Sequence, residues 1–545
     1  MRKTLIVLTI TTIFLLVVFS ITIIAGNSSQ DLKTGVKQKD NQAIKKAVEE
    51  LVQQNDEKAF SSLTESLGLL ETPPDIEAYW EILRGIGRLT NKDVISKTAI
   101  FILNNQNKDL GNDLLAAMKS NPSETVVPLL GIILEKGTNV MQLECIRQLG
   151  SIYVKESLVV LINYLNKLNP DKPDNTGTIS ALKDITGADH GIYPRAWIKW
   201  WEENKNKNAS ELIHPKLISD TLTSVISYRP NTGVQTLEKE KVIVIRNDKC
   251  DKNPRFDGNY DKIQDILERL GIPHAVVGKS ELDKESYSLD DKWALVFNCN
   301  FFYDHCCDPE HAKLKPSTQP GETIRTSPCP GQPPHQMHNT KLSDKTIKKI
   351  KQFVETGGYL FTEDLNIEEI IERAFKGVIV HTKYIGKKEV KILPAPGALL
   401  HPYLKYVFET PPLVSSQTPS GEKPGETKSV KAGSFYVDGT WNIHNQSPDI
   451  KIQKKDTAIV VTVLIMSPEL TKADKVEGAV AVTWAVSDKT NVVTDDKTLS
   501  YKPGGRVLHI MSHFGEQRSQ TDEFTLQNLI LNFFMELNEH HPRKK

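Results

Sequence analysis

Four short polar stretches follow apolar runs and bring together groups that could do chemistry. They are Arg246-Asn247-Asp248, Asn298-Cys299-Asn300, Thr362-Glu363-Asp364-Leu365 and Ser512-His513. If the runs before them are strands of one open parallel sheet, the stretches gather at its carboxyl edge, where such sheets bind ligands. Carboxylates brought close there shift each other's pKa, and an imidazole beside them can act as a base. Asp248, Asn300, Glu363, Asp364 and His513 are therefore the candidate ligand-binding residues, a set that suits a polar ligand or a divalent cation. The plainer reading is that these side chains satisfy helix N-termini, with Asp364 a cap or first-turn acid for a helix over 367–375.

A second cluster lies in residues 303–341, rich in Pro, His and Cys: His305, Cys306, Cys307, His311, Cys329, His335 and His338. Thiolate and imidazole are the favoured zinc donors, but the spacing contains no CxxC, HExxH or CxxCH. Cys299, Cys306, Cys307 and Cys329 are candidate disulfide partners in an oxidising compartment. Free thiols and a metal site stay open beside that reading, and the sequence does not fix a connectivity. No metal ligand and no cofactor is assigned.

The elements that must position these groups change character along the chain. Met1-Arg2-Lys3 precedes an uncharged apolar segment, Leu5–Ala25, long enough to span a bilayer core. It reads as a signal anchor, or as a signal peptide ending near residue 26. The positive-inside rule then puts the bulk of the chain outside the cytoplasm, in a periplasm-like compartment, tethered to the membrane through residues 5–25. Residues 27–42 are polar and read as a tether.

Residues 43–206 show helical periodicity. Ala43, Ala47, Leu51 and Val52 form one apolar face; Ile82, Leu83, Ile86 and Leu89 a second; Cys145, Ile146, Leu149 and Ile152 a third. The phrases LRGIGRL, IRQLGSI and LKDITGA recur at roughly 30–40 residues or multiples of that, which implies stacked helical hairpins. Residues 207–238 read as linker. From 239 to 540 strands and helices alternate, the pattern of a three-layer α/β domain with a mostly parallel sheet. Expected strands are 241–246, 272–277, 293–299, 358–363, 457–466, 478–486 and 504–512, the 457–486 pair forming either buried strands or an antiparallel hairpin. Residues 303–341 and 410–434 read as long insertions.

Two resemblances sharpen this picture. GTISALKDITGADHGIYPRAWIKWWEENK, with Trp197, Trp200 and Trp201 on one side of its last helix, resembles the closing unit of HEAT-like repeat arrays. KVIVIRND, WALVFNCN, GGYLFTED with EEIIERAF behind it, and HPYLKYVFE resemble the class I glutamine amidotransferase-like (flavodoxin-like) fold, in its uncharacterised bacterial branch. Active members of that fold place a Cys on a G-x-C-x-G turn beside a His and a Glu. Here the turn after Phe361 carries Thr362, Glu363, Asp364 and Leu365, with no thiol and no second glycine. MSHFGEQ supplies His513 and Glu516 at altered spacing. The resemblance thus implies the fold without glutaminase activity, leaning away from an enzyme. It points to a binding or scaffold protein with a protein partner on the helical array and a small-molecule or carbohydrate ligand on the α/β domain. The alternatives are a hydrolase using the strand-end carboxylates and His513, or a metal-binding module through the Cys/His loop.

Lysine plus arginine equals aspartate plus glutamate at 68 each in 545 residues, so no global field draws nucleic acid, and no nucleic-acid partner is expected.

Overall fold

The computed structural model describes residues 28–71, 74–121, 124–174, 176–213, 233–246, 263–299, 341–385, 388–408, 439–443, 447–453, 459–473, 477–486, 505–517 and 520–540. The described residues divide into two compact units, 28–213 and 233–540.

Among the described residues the first unit is helical. One layer holds Asn41–Gln54, Ile76–Gly87, Asp109–Ala117, Asn139–Gly150 and Thr178–Thr186. The other holds Glu57–Leu67, Lys92–Asn104, Val127–Lys136, Lys155–Leu165 and Pro194–Asn204. Within each layer every helix packs on the next of its kind. The sequence starts many of these helices with a capping residue. Asp40, Asp56, Asp75, Asn91 and Thr138 each accept a first-turn backbone N–H, satisfying donors that a helix start otherwise leaves open.

Polar bonds repeat at the same offset. Tyr79 Oη donates to Asp113 at 2.8 Å, Gln148 Nε2 to the Leu115 carbonyl at 2.9 Å, and Asn121 Nδ2 to the Leu89 carbonyl at 3.3 Å, spanning 34, 33 and 32 residues. Each hairpin thus hands its buried polar groups to its neighbour, as a stack of units that cannot close alone must do.

Two expected faces, Ile82–Leu89 and Cys145–Ile152, are buried as read. In helix Asn41–Gln54 the buried face is Ile44, Ala47, Val48 and Leu51, shifted from the expected Ala43 and Val52. The larger Ile and Val side chains bury more area than Ala43 would. Trp197 and Trp201 are buried, and Trp200 stacks on His190 at 5.3 Å.

Part of the expected tether is structured. Residues 28–38 form a helix with Leu32 and Val36 buried, tied by Ser62 to Ser29 at 2.8 Å and Lys33 to Glu65 at 2.8 Å. Two apolar residues four apart suffice once a neighbouring helix covers them. At the other end of the expected linker, Ala209–Leu212 is helical with Leu212 buried. Val234 and Leu237 are buried too, and Asn538 Nδ2 donates to the Gly233 carbonyl at 3.0 Å.

The expected membrane anchor is corrected. No helix of the described residues is long and apolar enough to cross a membrane, which contradicts the transmembrane assignment and the extracytoplasmic location drawn from it. Among described helices the longest is Gln520–His540, 21 residues. Asp522, Glu523, Gln527, Asn528, Asn532 and Glu536 interrupt it, a polarity that bilayer insertion penalises. Residues 5–25 lie outside the described residues.

The second unit is built on an eight-stranded sheet. Its strands are β1 (Val242–Arg246), β2 (Ala275–Gly278), β3 (Ala294–Phe297), β4 (Tyr359–Glu363), β5 (Leu393–Pro394), β6 (Thr462–Met466), β7 (Ala479–Val486) and β8 (Gly505–Ile510). The order is β2-β1-β3-β4-β8-β7-β6-β5. The first five in that order run parallel; β7, β6 and β5 add on antiparallel. The hairpin alternative for 457–486 is thus the one formed. The parallel strands β1, β3, β4 and β8 are almost wholly buried, as expected of strands covered on both faces. Tyr359 and Phe361 of β4 pack on Phe533 of helix Gln520–His540 at ring distances of 5.4 and 6.2 Å.

The Gly357-Gly358 turn joins helix Asp344–Glu355 to β4 for two separate reasons. Gly357 sits at φ +102°, and a Cβ on Gly358 would lie 2.3 Å from the Phe353 ring. Beyond β4 the expected α-helix begins as a π-helical turn, Ile367–Ile371, before Glu372–Ala374. Such turns are rare and concentrate at functional sites.

Candidate functional site at the strand ends

The carboxyl ends of β3, β4 and β8 meet. Asn298 and Cys299 follow β3, Asp364 follows β4, and Ser512 and His513 follow β8. Asn366 Nδ2 donates 3.0 Å to the Asn298 carbonyl, joining the tips of β4 and β3. The Asp364 amide donates 2.8 Å to the Ile510 carbonyl, joining β4 to β8. Gln517 Nε2 donates to Ser512 Oγ at 3.0 Å and to the His513 carbonyl at 2.7 Å, which fixes the turn carrying His513. Glu516 enters the same region through its carbonyl oxygen, which accepts from Asn442 Nδ2 at 3.0 Å.

Asp364 occupies the elbow, the turn that joins β4 to the helix following it. Its φ is +42°, a left-handed conformation that Asp tolerates better than most residues. The turn projects its carboxylate between Cys299 and His513. Cys299 Sγ lies 3.6 Å from Asp364 Oδ2, and His513 Nε2 lies 3.3 Å from the same oxygen. Glu363 Oε2 is 3.8 Å from His513 Nδ1 on the other side of the ring. All four side chains are buried. The helix beginning at Ile367 has no side-chain cap, so Asp364 directs its carboxylate at the cluster and not at that helix.

Of the candidate residues, Glu363, Asp364 and His513 come together. Asp248 and Asn300 lie outside the described residues, as do Cys306, Cys307 and Cys329 and most of both insertions. Cys299 belongs to the strand-end cluster, and the residues offered as its disulfide partners lie outside the described residues.

Three further participants stand outside the candidate set. Asn298, named only within its strand-end stretch, is fully buried, and its side-chain amide has no hydrogen-bond partner among the described residues. His509, inside β8, bonds Thr362 Oγ1 through Nδ1 at 2.9 Å, with the two residues opposite each other in register. The third is the pair Lys279–Glu369, buried at 2.7 Å behind the elbow. A lone His inside the apolar run RVLHIM and an acid inside EEII were the available signals. Polar residues at positions that alternation assigns to a buried strand or helix face are informative because burial without a partner is costly.

Burial pushes the His509 pKa down to about 4, against the smaller opposing pull of Asp364 and the Thr362 bond. The folded state therefore holds His509 neutral while an unfolded chain would protonate it near pH 6.5. Its contribution to stability is complete above about pH 6.5 and is lost as pH falls through about 4. The loss amounts to roughly 3 kcal/mol at most. Urea denaturation at about pH 7.5 and about pH 4.5 is expected to show a larger acid-induced loss for the wild type than for His509→Gln. An equal loss in both would assign the acid sensitivity elsewhere.

No model of a known protein family matches the chain, and no curated protein matches it.

Proposed function

We propose that this chain is a binding and scaffold protein. In this reading a HEAT-like helical array carries a protein partner, and a class I glutamine amidotransferase-like α/β domain binds a ligand at its strand ends without hydrolysing glutamine. One observation carries the reading: the elbow residue is Asp364, in the left-handed conformation at the end of β4, with Cys299 and His513 turned toward its carboxylate. A glutaminase of this fold needs a nucleophile at that point that can form an acyl intermediate. The nearby thiol of Cys299 lies instead at the end of β3. The two-layer helical array supports the scaffold half, because such stacks present extended surfaces.

A hydrolase is the second reading, favoured by the 3.3 Å approach of His513 Nε2 to Asp364, which would let the pair activate a water. The expected result for the full chain is no glutamine turnover above the uncatalysed rate, with or without Cys299→Ser. Turnover that disappears in Cys299→Ser would place the nucleophile on β3 and overturn the binding reading.

A further inference from the structure

We propose that Cys299, Asp364 and His513 form a binding site for a zinc-class divalent transition-metal ion. The inference rests on reading the strand ends as a binding site and names the ligand. Each of the three residues offers one donor atom, and the three atoms lie within 4.8 Å of one another. The measured spacings are Sγ to Oδ2 3.6 Å and Nε2 to Oδ2 3.3 Å.

Those spacings decide between two arrangements. An imidazolium donating directly to a carboxylate closes to about 2.7–2.9 Å. Three donors around a tetrahedral ion stand farther apart. With Zn–N and Zn–O bonds of about 2.0 Å and a Zn–S bond of about 2.3 Å, the tetrahedral angle sets N···O at about 3.3 Å and S···O at about 3.5 Å. The N···O spacing matches the second arrangement; the S···O spacing of 3.6 Å fits it and also fits a thiol–carboxylate hydrogen bond, and Sγ lies within 4.8 Å of Nε2.

Two further observations point to a ligand. Asp364 is fully buried, and its Oδ1 has no hydrogen-bond partner among the described residues; the neighbouring Asn298 amide is in the same condition. A buried carboxylate oxygen left this way is costly unless a cation meets it. Glu363 stands 3.8 Å from Nδ1 of His513, the side of the ring away from Asp364. At that distance the carboxylate is not hydrogen-bonded to the ring; it would have to close on Nδ1 to take the supporting place behind a ligating histidine.

The donor set selects the ion. Magnesium and calcium take oxygen ligands, whereas thiolate with imidazole and carboxylate suits zinc and its neighbours. Three protein donors leave a fourth tetrahedral position for water or an exogenous ligand, as in zinc sites that react or exchange. On binding, the Cys299 thiol releases its proton to solvent and the thiolate bonds the ion.

The test uses the full chain, reduced and stripped with chelator, then titrated with Co²⁺. The expected result is uptake of one equivalent with tetrahedral ligand-field bands and a thiolate-to-cobalt charge-transfer band, both abolished by Zn²⁺. Cys299→Ser is expected to lose the charge-transfer band, and Asp364→Asn and His513→Gln to bind at least about tenfold more weakly. Glu363→Gln is expected to keep the band, since Glu363 is not one of the three donors. The variant Cys306→Ser/Cys307→Ser/Cys329→Ser is expected to keep the band. Failure of the wild type to take up Co²⁺ would overturn the proposal, as would a band that survives Cys299→Ser but not the triple loop variant. X-ray absorption of the zinc-loaded wild type decides the matter without any variant: one sulfur bonded to the ion supports the site, and none or several sink it. Glutamine turnover is measured separately, so a failed metal assignment leaves the absence of amidotransferase activity to stand or fall on its own assay.

Discussion

Replacing Lys279 with Met is expected to cost the α/β unit about 3–5 kcal/mol, the usual penalty for stranding one member of a buried ion pair. Lys279 Nζ lies 2.7 Å from Glu369 Oε2, and both side chains are almost wholly shielded from solvent. The other carboxylate oxygen of Glu369 accepts the Leu342 amide at 2.9 Å. Removing the ammonium therefore leaves a charge inside the protein beside a neutral donor. Glu369→Gln is expected to be costly as well, since its one carbonyl oxygen can accept from Lys279 or from the Leu342 amide while its NH2 group faces the other donor, and Lys279 loses its counter-charge. The double variant Lys279→Met/Glu369→Met is expected to recover more than half of the single loss, because two apolar side chains of similar volume replace two desolvated charges. Urea denaturation of the full chain and its single and double variants measures the coupling. Additive losses would show that the two residues act independently. The pair matters for the site because Glu369 lies in the π-helical turn that follows the elbow, which it ties to the short helix Lys279–Leu282 after β2.

Gly505→Ala is expected to be the most damaging change of a single methyl group. A Cβ at Gly505 would stand 1.9 Å from the Val354 carbonyl oxygen and 2.5 Å from that of Gly358. Both obstacles are backbone, one at the end of helix Asp344–Glu355 and one at the turn into β4, so no rotamer relieves the clash. The strand β8 would have to move away from β4 and take the His513 turn with it. A loss of about 3 kcal/mol or more follows, at or beyond the upper end for overpacking, or failure to fold. Gly177→Ala offers the contrast. Gly177 has φ +81° but nothing within 4 Å of the added methyl, so only the left-handed backbone penalty of about 1–2 kcal/mol applies. Thermal melts of the two variants should differ clearly in midpoint. A near-wild-type melt for Gly505→Ala would mean that β8 and the 354–358 turn pack more loosely than this geometry.

Features that depend on local periodicity and backbone chemistry were legible in the chain alone. Helical spacing in 82–89 and 145–152 placed buried faces correctly, because a stacked hairpin has only one way to hide such a stripe. Apolar runs located β1, β3, β4, β7 and β8. The lack of a thiol at the elbow was also legible, since the turn's four residues are contiguous.

Partnerships between residues far apart in the chain came from the folded arrangement. From the sequence Cys299 was a disulfide candidate in an oxidising compartment, and its candidate partners lie outside the described residues. The sheet order sets β3 beside β4 and β4 beside β8, which brings Cys299 to Asp364, 65 residues on, and both to His513. Periodicity reports which face of an element is buried and says nothing about which strand lies alongside. For the same reason the Lys279–Glu369 pair and the His509–Thr362 bond were invisible. They join groups 90 and 147 residues apart, and their proximity is set by strand order and register, not by any local pattern.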